Sequence, residues 1–118
     1  MTHNNNGHVD LQDGFATNAV GYENTYSTTL FGEKAVDVVQ DHDLDKPLFL
    51  YVAWNAIHSH VSVPEDFKST EMYQRLSSEI FGSAEERQEL SGAAYYVSNE
   101  TENIVNALKV RVSLFRHD

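Results

Sequence analysis

Two histidines stand two residues apart just beyond an apolar run. In FLYVAWNAIHSHVSVPED, residues 49–66, the run from Phe49 to Trp54 leads to His58 and His60, with Pro64 soon after. Imidazole titrates near neutral pH, so a histidine can protonate a leaving group, contact an anion or ligate a metal. Spacing alone leaves three readings open. Both can be structural histidines of a loop, partly buried. One can be catalytic or touch a ligand. Together, as His-x-His on a strand, they would share a face and can bind zinc. No third ligand stands out, and Ser59 and Val61 do not continue a clear strand.

The other titratable groups read as structural. Asp41-His42-Asp43 sets carboxylates on both sides of a histidine, but at a helix end, where a solvated turn is the simpler reading. Asp10 and Asp13 offer oxygen donors, yet Asp-x-x-Asp-Gly is the composition of a turn. Glu85, Glu86 and Glu89 fall in the first turns of a helical pattern, where they complement the helix dipole. Tyr95-Tyr96 reads as packing with a partly exposed ring. Asn99-Glu100-Thr101 is an N-glycosylation sequon set inside a helical pattern.

The elements that must position His58 follow from periodicity. Residues 1–26 are rich in Asn, Gly, Thr and Asp and read as loop, with turns at Asn6-Gly7 and Asp13-Gly14. A helix is predicted over 27–42. Ser27 or Thr28 can cap it, and Leu30, Phe31, Ala35, Val38 and Val39 share a face. After the polar break at 41–47, residues 48–54 are almost continuously apolar. That is the pattern of a strand covered on both faces, as in a parallel sheet. Residues 55–82 are predicted to be mostly irregular, with a short helix near 71–76. Ser83-Ala84-Glu85-Glu86 is a capping box, and it opens a long amphipathic helix over 84–112. The stripe of that helix is Leu90, Ala93, Ala94, Val97, Thr101, Ile104, Val105, Leu108 and Val112.

A helix followed closely by a buried strand is half of a βαβ unit, so the expected fold class is α/β. One strand makes no stable sheet. The long stripe also needs more cover than one strand and one shorter helix supply. The pattern is that of the middle of a larger α/β domain.

Composition narrows the partners. The 118 residues suffice for one domain with a modest core. Eighteen acidic residues against eight basic ones leave a net charge of −10, which argues against nucleic acid or an anionic membrane surface. With no cysteine there is no disulfide, thiolate metal site or cysteine nucleophile within these residues. The polar N-terminus does not read as a signal peptide, and no apolar run reaches membrane-spanning length.

Residues 21–67, GYENTYSTTLFGEKAVDVVQDHDLDKPLFLYVAWNAIHSHVSVPEDF, resemble an internal segment of sulfatases, most closely the arylsulfatase B-like branch. The resemblance is carried by Tyr26-Ser27-Thr28, the Lys46-to-Tyr51 run, Ala56-Ile57-His58 and Val63-Pro64-Glu65. Residues 9–14 are similar to the approach to that segment. Residues 99–109 are similar to a long family helix with an Asp-Glu pair, with Asn99 in the first place.

The resemblance implies an internal piece of an alkaline-phosphatase-like sulfatase domain, with 55–82 as its active-site loop region. The parent would hydrolyse a sulfated sugar or aryl sulfate, in a lysosome or after secretion. His58 would touch the sulfate or protonate the leaving oxygen. His60 gains no such role, because the family usually has proline there.

The family also needs a formylglycine, made from Cys or sometimes Ser in Cys-x-Pro-x-Arg. It needs a calcium ion on Asp, Asp, Asp and Asn, and Lys and Arg groups for sulfate. Pro47 and Pro64 lie in other contexts, and His58 is the one member of that constellation expected here. The chain is therefore expected to bind no cofactor, to be inactive alone, and to be marginally stable or aggregation-prone. Two other functions stand beside this one. The first is a non-catalytic sulfatase-derived protein that binds a ligand or partner. Acidic balance and the scattered Lys46, Lys68 and Arg75 count against a sulfated ligand. The second is a small α/β metal-binding domain that uses His58 and His60. The tail over 110–118 departs from the family and reads as an artificial end.

Overall fold

The computed structural model describes residues 4–5, 8–9, 11–15, 19–22, 24–57, 63–75 and 84–115. Two helices dominate it. Helix α1 spans Ser27–Asp41 (15 residues) and α4 spans Ala84–Phe115 (32 residues). Between them lie two short helices, α2 at Glu65–Lys68 and α3 at Glu71–Arg75. Near the N-terminus, β1 (Asn4–Asn5) pairs antiparallel with β2 (His8–Val9), Asn4 opposite Val9. Among the described residues no helix is long and apolar enough to cross a membrane.

The expected α/β class is overturned. Residues 48–54 join no sheet, and the two-residue β1–β2 ladder is the only sheet among the described residues. The continuity of the apolar run predicts cover on both faces, whereas one face is covered. Leu50, Val52, Trp54 and Ala56 are partly buried against the helices, and Phe49, Tyr51, Ala53, Asn55 and Ile57 are exposed. This period of two belongs to an extended chain. The α1–α4 pair can cover only the side that faces it, and among the described residues no strand pairs with the run to complete a sheet.

The face of α1 is also rotated from the one predicted. Its buried positions are Thr28, Leu30, Gly32, Ala35 and Val39, while Val38 is half exposed. Four of these, Thr28, Gly32, Ala35 and Val39, recur at helical spacing and form a stripe of small or β-branched residues. Tyr26 is the N-cap residue in extended conformation, without a side-chain cap bond. Ser27 and Thr28 are helical, and Thr28 is fully buried.

On α4 the buried positions are Gly92, Ala93, Glu100 and Ile104. Thr101, Val105, Leu108 and Val112 of the predicted stripe are exposed. At about 1.5 Å per residue, α1 is less than half as long as α4 and cannot cover all of it. The Ser83 half of the predicted capping box lies outside the described residues.

The core has two centres. Ala35, Val39 and Ile104 form one, with Val36, Leu50, Val52, Trp54 and Ala107 packed on it. Val63, Phe67, Tyr73 and Ala93 form the other, with Ala56 and Tyr96. The extended segment touches both, Leu50 to Trp54 on the first and Ala56 on the second.

Candidate functional site

His58 and His60 lie outside the described residues, as does Ser59. The structure describes what holds the chain on either side. Ala56 packs against the apolar cluster that contains Val63. Ile57, directly before His58, has φ of 65°. A β-branched side chain in the left-handed region is a true outlier and costs on the order of 1–3 kcal/mol, which the surrounding packing must offset. After the gap, Pro64 is the N-cap residue of α2, and Phe67 on α2 is buried.

Phe67 is the centre of an aromatic group. Its ring stacks on Tyr95 (5.5 Å between centroids) and meets Tyr96 (5.1 Å) and Tyr73 (5.7 Å) edge-on. Tyr26 meets Tyr96 edge-on at 4.9 Å, linking α1 to this group. Gly92 makes room for it, because a Cβ there would lie 2.9 Å from Val63 Cγ1 and 3.2 Å from Phe67 Cε1. Tyr95-Tyr96 is thus packing, as its spacing suggested, with Tyr95 the more exposed ring.

Three described lysines pair with carboxylates. Lys68 Nζ lies 2.8 Å from Glu65 and 3.2 Å from Glu89, tying α2 to α4. Lys46 pairs with Asp43 at 3.1 Å in an exposed turn. Lys34 lies over the Tyr22 ring at 5.5 Å, with Asp37 at 4.0 Å. These lysines do not converge on one cavity.

The remaining candidates resolve as structure. The His42 ring nitrogen donates to the Lys46 carbonyl (2.8 Å), and Asp43 accepts from the Asp45 N–H (3.1 Å). That hydrogen bond, with Lys46 beside it, holds the Asp43 carboxyl below the usual carboxylate range. Arg111 on α4 donates to the His42 carbonyl and so ties the C-terminus of α1 to α4. No sequence signal paired Arg111 with His42, which are 69 residues apart.

Asp13 is exposed on the rim of a cleft of about 550 Å³ between the N-terminal loop and α1, and Asp10 lies outside the described residues. Asn99 is exposed on an uninterrupted helix, where the Thr101 hydroxyl donates to the Val97 carbonyl (2.6 Å). Glu100, the retained half of the Asp-Glu resemblance, is buried against Gly32 of α1 and accepts a hydrogen bond from Asn103 (3.3 Å). Its position makes it a packing residue between the two long helices.

Among the described residues no group of three or more His, Asp or Glu is placed to hold a metal ion.

Burial raises the phenol of Tyr26 above its ordinary value, partly offset by Thr28. Burial also raises Tyr96, with the Asp66 carboxylate next in importance. Lys68 is raised by its hydrogen bonds to Glu65 and Glu89. All three groups hold their protons more tightly when folded. Their contribution is fully present below about pH 10 and is lost as pH rises through the raised values. Helicity is therefore expected to hold from neutral pH to about pH 10 and to fall above it. Alkaline titration by circular dichroism checks this. Joint replacement Tyr26→Phe and Tyr96→Phe, which keeps the rings and removes the ionisation, should move the fall to higher pH.

No protein-family profile matches the chain, and no solved structure matches it. Among curated proteins, Arylsulfatase J of Mus musculus is 43% identical to this chain over 44 residues. The match takes in 36% of this chain and spans 7% of that protein. Over that short stretch, part of this chain is similar to a sulfatase.

Proposed function

We propose that the chain derives from a sulfatase, and that its similar stretch is a piece of a sulfuric ester hydrolase. The observation that supports this is the 43% identity over 44 residues to an arylsulfatase. On this reading the parent enzyme hydrolyses the sulfate ester of a sugar or an aryl alcohol. It belongs nearest to the arylsulfatase B-like branch and works in a lysosome or after secretion. His58, in Ala56-Ile57-His58, contacts the sulfate or protonates the leaving oxygen. The nucleophile and the calcium site belong to other parts of the parent.

The 118-residue chain contains neither Cys-x-Pro-x-Arg nor its Ser form, from which a formylglycine could be made. Without that nucleophile a histidine has no covalent route to sulfate cleavage. The chain alone is expected to release no phenol from an aryl sulfate above background, with or without added calcium. Turnover by the purified chain would sink the inactive reading.

The origin is tested separately, by the length of the polypeptide in the cells that make it. A longer product carrying Cys-x-Pro-x-Arg, or the same motif with Ser in first place, supports the reading, and there His58→Ala should lower kcat by about 10²–10⁴. A product without that motif, or full activity after His58→Ala, overturns the role of His58.

A further inference from the structure

Glu100 is the one buried acid among the described residues, at 6% exposed. Its Oε2 accepts a single hydrogen bond, from the Asn103 side chain at 3.3 Å. Its Oε1 accepts none from a described residue, and no described lysine or arginine pairs with the carboxylate. A charge taken out of water needs a partner, and the described cations do not supply one.

The carboxylate lines a groove of about 520 Å³ between α1 and α4. Two more carboxylates line it from α1, Glu33 and Asp37, with Val36 and Ala107 as apolar lining. Arg111 is the single cation of the lining, and its guanidinium donates to the His42 carbonyl. It stands at the far end, about 16 Å along α4 from Glu100. The Glu100 end of the groove is therefore negative and the other end positive.

Spacing selects the kind of cation. The acids are strung along the groove, and no group of three is placed to hold a metal ion among the described residues. Glu33 and Asp37 are four residues apart, which is about 6 Å along the axis of α1. An extended four-carbon diamine also separates its ammonium groups by about 6 Å, from ordinary bond lengths. Lys34 stands 4.0 Å from Asp37 with both side chains more than half exposed. A contact of that kind is weak and gives way to a closer ammonium.

We propose that the α1–α4 groove binds a linear aliphatic diamine, with one ammonium between Glu100 and Glu33, the other on Asp37, and the methylenes over Val36. Arg111 repels a cation from the far end and so fixes which end is used. The aliphatic stem of Glu100 still packs on Gly32, and its carboxylate is the part that meets the ligand. The inference does not rest on the sulfatase reading.

Titration of the 118-residue chain with putrescine at low salt tests it, by calorimetry and by NMR of the side-chain amides. A single site is expected. The amide signals of Gln40, Asn103 and Asn106, which line the groove, should shift, and those of Asn24 and Asn55, outside it, should not. Butylamine, with one charge, should bind about tenfold more weakly or worse. Glu100→Gln, which keeps the stem against Gly32, and Asp37→Asn should each weaken putrescine binding about tenfold or more. Glu102→Gln removes an exposed carboxylate of α4 outside the groove and should leave binding unchanged. Asp37 is exposed, so its variant decides the question even where Glu100→Gln does not fold. Absence of both heat and amide shifts overturns the proposal. So does equal weakening by Glu102→Gln and Asp37→Asn, which marks a diffuse counter-ion atmosphere. Butylamine binding as tightly as putrescine, or amide shifts confined to residues outside the groove, overturns it as well.

Discussion

Phe67→Ala is expected to lower stability by about 3–5 kcal/mol, the range for removing a buried phenylalanine. The residue is buried at the centre of the second cluster, against Val63, Tyr73 and Ala93, and its ring contacts Tyr95 and Tyr96. Alternatives for holding α2 are weak. Four residues do not form a helix alone, because nucleation is unfavourable. The Lys68 bridge to Glu65 and Glu89 is partly exposed, and such pairs contribute roughly 0–1 kcal/mol. Without the Phe67 ring, Val63 and Tyr73 lose a packing partner and α2 loses its buried side chain.

Urea unfolding followed by circular dichroism measures the loss, and the near-ultraviolet tyrosine signal should collapse with it. A loss below about 1 kcal/mol would mean that the aromatic cluster does not hold the fold together.

Gly32→Ala is expected to destabilise the chain by about 1–3 kcal/mol, the usual range for overpacking. Helix propensity alone predicts the opposite, since alanine is better than glycine in a helix interior by about 1 kcal/mol. The two effects differ in sign, so the measurement is decisive. A Cβ at Gly32 would lie 2.7 Å from Glu100 Cβ and 2.8 Å from its Cγ. Rotating the Glu100 side chain cannot move its Cβ, so the helices must separate. Glu100→Gly in the Gly32→Ala background removes both atoms and should recover stability, whereas Glu100→Ala leaves the Cβ contact. Thermal unfolding of the four chains gives the coupling as a double-mutant cycle. A more stable Gly32→Ala chain would show that α1 and α4 do not approach this closely.

Local signals were legible where they are strong. Leu30, Ala35 and Val39 recur at helical spacing, and the helix there runs Ser27–Asp41. The stripe through Ala93, Val97 and Ile104 lies within a helix that runs Ala84–Phe115. Asp41-His42-Asp43 read as a turn from composition, and its groups bond within the turn.

The faces of these helices were less legible. Counting apolar residues selected Val38, Val105 and Leu108, which are exposed. It passed over Gly32 and Glu100, which are buried. Close approach of two helices favours small residues at the crossing, and a hydrophobicity count scores glycine poorly. Glu100 enters the interface because its aliphatic stem fills the space that Gly32 leaves.

The sequence alone determined the chemistry the chain can carry. Eighteen acidic residues, no cysteine and the placement of His58 and His60 are facts of composition and order. So is the short similarity to an arylsulfatase, which depends on residue identity and not on shape.

Tertiary structure decided which surfaces those residues meet. An apolar run such as 48–54 has the same local signal whether one face or both are covered. Here the helix pair covers Leu50, Val52 and Trp54 and leaves Phe49 and Tyr51 open. The Arg111–His42 tie and the Gly32–Glu100 contact likewise join residues about 70 positions apart. Helical and extended periodicities arise from neighbours along the chain, so they can be read in order. Burial depends on what arrives from elsewhere in the chain, and only the folded arrangement supplies that.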